Sequence, residues 1–184
     1  MIKRLIDKCI EMIMLFSGLY LFLLYVQAKI TLKQLVILYV MVFIGCIFLI
    51  QTFKYVKRQR YLKSSLYDLD RLQGKEFEEY LASIFASRGY RARLTPDSND
   101  YGADLILKKE GETIVVQAKR YRNQVGIEAV QQVIGAKGYY RADKALVVTN
   151  SYFTTQAKNL ARANSVELWD RDRLQAIQRV VTNG

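Results

Sequence analysis

Leu35 to Phe53 is a run of 19 residues without a charge, and thirteen of them are Leu, Ile, Val or Phe. As a helix rising ~1.5 Å per residue it reaches about 28 Å, close to the thickness of a bilayer's hydrocarbon core. Thirteen such side chains at roughly −0.3 to −0.6 kcal/mol each favour insertion by about 4–8 kcal/mol. Met12 to Val26 is a second uncharged run of 15 residues. It attains spanning length only with Ile10, Glu11, Gln27 and Ala28 at the interfaces. A cleaved signal peptide is the alternative for this first run. Its basic start (Lys3, Arg4, Lys8) fits that alternative, whereas Glu11 and the lack of a small-x-small cleavage site do not. The pattern predicts transmembrane helices over about 10–28 and 34–53, closed into a hairpin by the short Ala28–Gln34 connection.

Charge orients this hairpin. Residues 1–63 carry ten of the 28 Lys/Arg and two of the 17 Asp/Glu, leaving eighteen and fifteen for 64–184. The net charge of +11 is therefore +8 in the N-terminal third and +3 in the rest. Lys3, Arg4 and Lys8 precede the pair, Lys54, Lys57, Arg58, Arg60 and Lys63 follow it, and the loop holds only Lys29 and Lys33. The positive-inside rule then puts both ends in the cytoplasm. The expectation is a multi-pass protein of the cell membrane (for a bacterium, the inner membrane), with 54–70 as a basic juxtamembrane linker and 71–184 as a cytoplasmic domain. The basic stretch also suits anionic lipid, although flanking charge alone accounts for it.

The chain has no histidine, which excludes Ser-His-Asp and Cys-His catalysis, His-metal sites and zinc fingers. Its two cysteines, Cys9 and Cys46, fall in apolar surroundings and make no disulfide framework or thiolate metal site. Acid–base or metal chemistry must use Asp, Glu, Lys, Tyr or backbone groups.

Beyond Ser64 the periodicity is that of a small α/β domain. Leu72, Phe77, Tyr80, Leu81, Ile84 and Phe85 recur at helical spacing, and Gly89 stops the helix. Tyr90–Leu94, Ala103–Leu107, Thr113–Ala118, Ala145–Thr149 and Val166–Trp169 have strand character. Ile127–Tyr140 and Thr154–Ala163 have helical character, and Asp170 caps a last helix. The order is αβββαβαβα, enough alternation for one core. With Glu110-Gly111 as a two-residue hairpin turn, Lys109 faces Glu112 and paired residue numbers sum to 221. Asp104 then lies opposite Gln117, and Lys119, two residues on, shares that face. Ala103, Leu105, Leu107, Ile114, Val116 and Ala118 point the other way. Glu78 shares the stripe of Leu81 and Phe85, where an acid is costly unless paired or bound to a metal.

The ordered series LQGKEFEEYLASIFASRGY, NDYGADLIL, VVQAKRY, AVQQVIGAK and ALVVTNSYFTTQAKNLA, with a late strand ending LWD, resembles the Mrr-type restriction endonuclease domain of the PD-(D/E)xK nuclease superfamily. The resemblance covers about Leu72 to Leu174. It implies a restriction-endonuclease-like mixed α/β sheet flanked by helices, here preceded by the two-helix transmembrane hairpin. It also implies metal-dependent hydrolysis of phosphodiester bonds in DNA, in defence against foreign DNA. Carried over residue by residue, Asp104 is the metal-ligating acid, Gln117 stands in place of the second acid, Lys119 is the active-site lysine and Glu78 the acid of the first helix. Gln131 matches a polar position beside the site and Asp100 the acid before GAD. Mg²⁺ (or Mn²⁺) held by Asp104, the Gln117 side chain, the Ala118 carbonyl and Glu78 suits this oxygen-donor set. Arg120, Arg122, Gln131 and Lys137, interleaved with Tyr121, Tyr139 and Tyr140, are the candidate DNA contacts. Cutting both strands would call for a homodimer. A silent nucleic-acid-binding module tethered to the membrane, or a repair or junction nuclease, is the alternative. Gly135 is expected to allow close helix packing. Thr149, Asn150 and Ser151 offer either a phosphate site or a helix cap.

Overall fold

The computed structural model describes residues 2–27, 31–62, 69–96 and 101–183. The chain divides into two compact units, Met1–Lys57 and Arg58–Gly184.

Two helices, α1 (Ile2–Val26) and α2 (Leu32–Leu62), supply the first unit. Inside it Cys46 Sγ lies 3.9 Å from Met14 Sδ. Leu21 and Cys46 are buried, while Phe16, Leu19, Phe22, Phe43, Phe48 and Leu49 are exposed. Among the described residues one helix, α2, is long and apolar enough to cross a membrane, and only 6% of its most apolar window is buried. A helix of a soluble core would have that surface covered. Of the two expected spans, the second is the one that this length and composition support. In α1 the apolar part is Ile10–Val26, shorter than that of α2, because charged residues occupy the first turns as far as Glu11. Helix α2 continues to Leu62 and so takes in the first part of the stretch assigned to a linker. The tight turn at 28–30 and the linker's remainder at 63–68 lie outside the described residues.

In the second unit the element order is α3 (Gly74–Ser87), β1 (Arg91–Leu94), β2 (Leu105–Lys109), β3 (Glu112–Lys119), α4 (Ile127–Tyr139), β4 (Lys144–Thr149), α5 (Thr155–Ala163), β5 (Val166–Trp169) and α6 (Arg171–Asn183). This is the αβββαβαβα series read from the sequence. The five strands form one sheet in the order β1-β2-β3-β4-β5. The first three are antiparallel neighbours, whereas β4 and β5 are added in parallel through α4 and α5.

Local chemistry explains the elements. The Gln73 N–H donates to Glu76 Oε2 at 2.9 Å, satisfying a backbone group at the start of α3. Phe77, Tyr80, Leu81, Ile84 and Phe85, spaced three and four apart, are all buried. The β2–β3 turn has positive φ at both Glu110 (51°) and Gly111 (85°), the backbone twist that two-residue hairpins require. The paired residues run from Leu105 with Val116 to Lys109 with Glu112, the register expected from the sequence. Asp170 caps α6 as anticipated, its Oδ1 accepting from the Arg173 N–H at 3.1 Å.

Two apolar layers sandwich the sheet. On one face Leu105, Leu107, Val116, Leu146 and Val148 pack with Phe77, Leu81 and Phe85 of α3 and Leu174 of α6. On the other, Ile106, Val115, Ala145, Val147 and Val166 pack with Val130 and Val133 of α4 and Ala157 of α5. Ala103 belongs to this second layer. The sequence reading placed it with Leu105 by alternation, but β2 begins only at Leu105. Gly102, at φ +89°, turns the chain just before, so the period of two does not extend back to Ala103.

Candidate active site

The hairpin register brings the sequence-predicted residues together. The Asp104 N–H donates to the Val116 carbonyl at 2.8 Å, so pairing with β3 continues past the formal start of β2. Its carboxylate accepts from the Ala118 N–H at 2.7 Å and from the Gln117 amide nitrogen. With Nε2 committed to Asp104, Oε1 is the end of Gln117 left for another partner. Gln117 is only 4% exposed, and an amide so buried needs such a bond. Lys119 lies two residues further along the same strand face. Its ammonium makes no hydrogen bond or ion pair among the described residues. It is the one group here that is charged, half-buried and uncommitted.

These three side chains line a cavity of about 340 Å³. Helix α4 forms its opposite wall through Gln131, Gln132 and Gly135, and Tyr101 with Gly102 closes one end. Gln131 is thus where the resemblance placed it. Gly135 is not a packing glycine, because a Cβ built there would have nothing within 4 Å. It leaves space on the cavity wall. Glu78 is half-buried on α3, which packs on the other face of the sheet, and is not among the lining residues. Arg120 and Lys137 are half-buried and Arg122 exposed; none of the three lines the cavity. Asp100 lies outside the described residues. A larger cleft of about 420 Å³, lined by Ser87, Arg88, Val180 and Val181, brings together no comparable set of polar groups.

Several supporting contacts join residues far apart in the sequence. A Cβ on Gly102 would sit 2.4 Å from the Gln132 carbonyl oxygen, so the loop before Asp104 rests directly on the backbone of α4. Tyr101, exposed at φ 53°, stacks on Tyr139 of α4 with ring centroids 3.6 Å apart. A hydrogen bond with Tyr101 holds the Tyr139 phenol above its ordinary pKa. Thr149 Oγ1 donates to the Lys119 carbonyl at 2.6 Å and fixes the backbone that carries the lysine. Asn150, buried at 4%, accepts from the Tyr121 N–H and donates to Asp70, each at 2.8 Å. Arg171 grips both oxygens of Asp70 at 2.8 Å, and its hydrogen bonds keep that carboxyl below its usual pKa. Thr149 and Asn150 are thus committed to partners within the fold, and the cap of α5 is Thr154, whose side chain accepts from the Ala157 N–H at 3.1 Å.

Residues 69–177 match the restriction endonuclease family of Mrr catalytic domains. The type IV methyl-directed restriction enzyme EcoKMrr of Escherichia coli strain K12 is 37% identical over 81 residues, 42% of this chain and 27% of that enzyme. The chain thus spans about a quarter of that relative's length. Among solved structures, the DNA modification-dependent restriction endonuclease AspBHI superposes with a TM-score of 0.46 at 21% identity, over 73% of this chain and 35% of that one. The MspJI restriction endonuclease, solved with a 27-mer oligonucleotide, gives 0.43 at 22% identity, over 58% of this chain and 28% of that one. The family match extends over more than half of the sequence, including Asp104, Gln117 and Lys119, and on that ground the protein belongs to the Mrr-type restriction endonuclease family.

Proposed function

We propose that the protein is a membrane-anchored, divalent-cation-dependent DNA endonuclease acting in restriction of foreign DNA, with its catalytic domain in the cytoplasm. The convergence of Asp104, Gln117 and the uncommitted Lys119 ammonium on one cavity carries this reading.

The donor chemistry fits Mg²⁺ or Mn²⁺. Among the described residues no three His, Cys, Asp or Glu cluster as metal ligands, so these residues offer no cage for a soft metal. A hard cation that keeps several waters needs only one or two carboxylates plus substrate phosphate. Asp104, Gln117 Oε1 and the Ala118 carbonyl are the groups that would hold it. When bound, such a cation neutralises phosphate charge and activates a water for attack. The chain's own residues do the rest. The Gln117 amide and the Ala118 N–H fix the Asp104 carboxylate. Lys119 supplies N–H donors and positive charge where the pentavalent phosphorane develops, an interaction stronger in the transition state than in bound DNA. Gln131, across the cavity, offers amide groups to the scissile phosphate or its sugar. Glu78, outside the lining, is given no place in this set.

Full-length protein in neutral detergent should nick plasmid DNA only with added Mg²⁺ or Mn²⁺, at roughly millimolar concentration because one ligand is a neutral amide. Efficient cleavage in excess chelator would overturn the mechanism. Gln117 in place of a second acid favours a silent DNA-binding module as the second reading. DNA binding without nicking at any cation concentration would establish that one.

Helix α2 is the span that length and composition support. We place α1 as a second, shorter one, with Lys3, Arg4 and Lys8 on the cytoplasmic side. A reporter active only outside the cytoplasm, fused after Gly184, should be silent; activity would reverse the topology. With one cavity of this kind per chain among the described residues, double-strand cleavage requires two copies acting together.

A further inference from the structure

The β1–β2 register gathers three cations that the site itself does not use. Arg93 lies opposite Ile106, and Arg91 opposite Lys108. Ile106 belongs to the apolar layer on the α4 side of the sheet, while Ala92 and Leu94 pack on the α3 side. Alternation therefore puts Arg91, Arg93 and Lys108 on the α4 side, the face that also carries Asp104, Gln117 and Lys119. The ladder remains continuous up to the site, since the Thr95 N–H donates to the Asp104 carbonyl at 3.0 Å. Arg93 stands two residue pairs, or ~7 Å of strand, from the Asp104 position. All three cations are exposed, and among the described residues none has an ion pair or hydrogen bond.

Like charges directly opposite one another weaken a sheet. Arg91 against Lys108 is such a pair, and among the described residues neither has an ion pair to offset the repulsion. Protection of an open sheet edge explains cations on β1, the edge strand. It does not explain Lys108, which belongs to the interior strand β2. An external polyanion explains all three, and the direction of the row, leading out of the cavity, says which one.

We propose that Arg91, Arg93 and Lys108 form a track for the phosphodiester backbone of DNA as it leaves the active-site cavity. The proposal rests on the nuclease reading above. The track anchors substrate along the edge strand β1 and the outer end of β2, where Arg91, Arg93 and Lys108 are exposed, and it acts on binding rather than on the chemical step.

The experiment is DNA binding by the full-length chain in neutral detergent with chelator, across a range of salt concentrations. The Arg91→Gln/Arg93→Gln/Lys108→Gln variant is compared with wild type and with Lys109→Gln. Lys109 is the neighbouring cation on the opposite face, held over the Tyr90 ring at 5.3 Å. The slope of log affinity against log salt should fall by roughly 0.9 for each phosphate no longer neutralised, so by about two to three in the triple variant, and stay at the wild-type value in Lys109→Gln. With Mg²⁺ the triple variant should need more DNA for half-maximal cleavage while keeping its rate at saturation. Normal wild-type binding with an unchanged slope in the triple variant would overturn the track alone. A wild-type chain that binds no DNA would overturn the nuclease reading and the track with it. Self-association of the triple variant with its slope intact would assign the cations to edge protection. An intact slope with Lys108 shielded from amine acylation only in anionic-lipid nanodiscs would assign them to the membrane surface. Either result refutes the proposal.

Discussion

Asp104→Ala and Lys119→Ala should each abolish detectable plasmid cleavage while leaving DNA affinity in chelator nearly unchanged. The two substitutions remove different things. Lys119 has no partner among the described residues, so its truncation orphans nothing and should leave the melting temperature at the wild-type value. What disappears is positive charge and donor capacity held in place where negative charge develops on phosphorus. Asp104→Ala is less innocent. It strips the acceptor from the Gln117 amide and the Ala118 N–H, and an unsatisfied buried donor costs about 1–3 kcal/mol. Asp104→Asn is therefore the necessary companion, since it keeps an acceptor oxygen and removes only the charge. It should melt near wild type and still fail to cleave. Loss of a carboxylate that repels phosphate should, if anything, tighten metal-free binding. Cleavage at the wild-type rate in Asp104→Asn or Lys119→Ala, measured beside binding on folded protein, would mean that the cavity has no catalytic role. Gln117→Glu reports on the same pair from the other side. It sets two carboxylates against each other, which is unfavourable in chelator and relieved by a bound cation. Activity with Mg²⁺ should be kept or raised, and the melting temperature should become cation-dependent.

The second large effect is expected at Gly102. Alanine there meets two separate penalties. At φ +89° an L side chain is strained by about 1–2 kcal/mol, and its Cβ would lie 2.4 Å from the Gln132 carbonyl oxygen and 2.8 Å from the carbonyl carbon. The obstacle is helix backbone and cannot swing aside as a flexible side chain would. Overpacking of this kind costs a further 1–3 kcal/mol or so. Gly102→Ala should therefore lower stability by about 2–5 kcal/mol and displace Asp104, two residues on, from Gln117. Activity should fall further than the unfolded fraction accounts for. Gly111→Ala is the control. It carries nearly the same φ, +85°, but no atom lies within 4 Å of the added Cβ, so only the backbone strain applies. Equal losses at the two positions would show that contact with α4 contributes nothing.

Gly102 also marks a limit of what was legible in sequence. GAD was recognisable, and Asp104, Gln117 and Lys119 followed from it, because a two-residue turn at Glu110-Gly111 fixes every pairing along the hairpin by counting. The same counting failed at Ala103. A period of two holds only while the backbone stays extended, and Gly102, at φ +89° and set directly against α4, turns the chain there. Gly135 failed for a related reason. A helical glycine is equally compatible with close packing and with open space, and only the position of α4 over β3 shows that the space is the cavity.

Short-range physics written in the sequence determined the apolar α2, the stripe of α3, the order of strands and helices and the Asp104–Gln117 pairing, since each depends on residues close along the chain or on one turn. The tertiary structure alone decided what surrounds them. Asp70 and Arg171 lie 101 positions apart, and Thr149 reaches Lys119 across 30. Tyr101 meets Tyr139 only because the loop before Asp104 settles on α4. Arg91 and Lys108 become neighbours only through the β1–β2 register, across a loop whose length sets no pairing by itself. Such contacts depend on how separate elements close on one another, a balance of packing and chain entropy to which no window of neighbouring residues gives access.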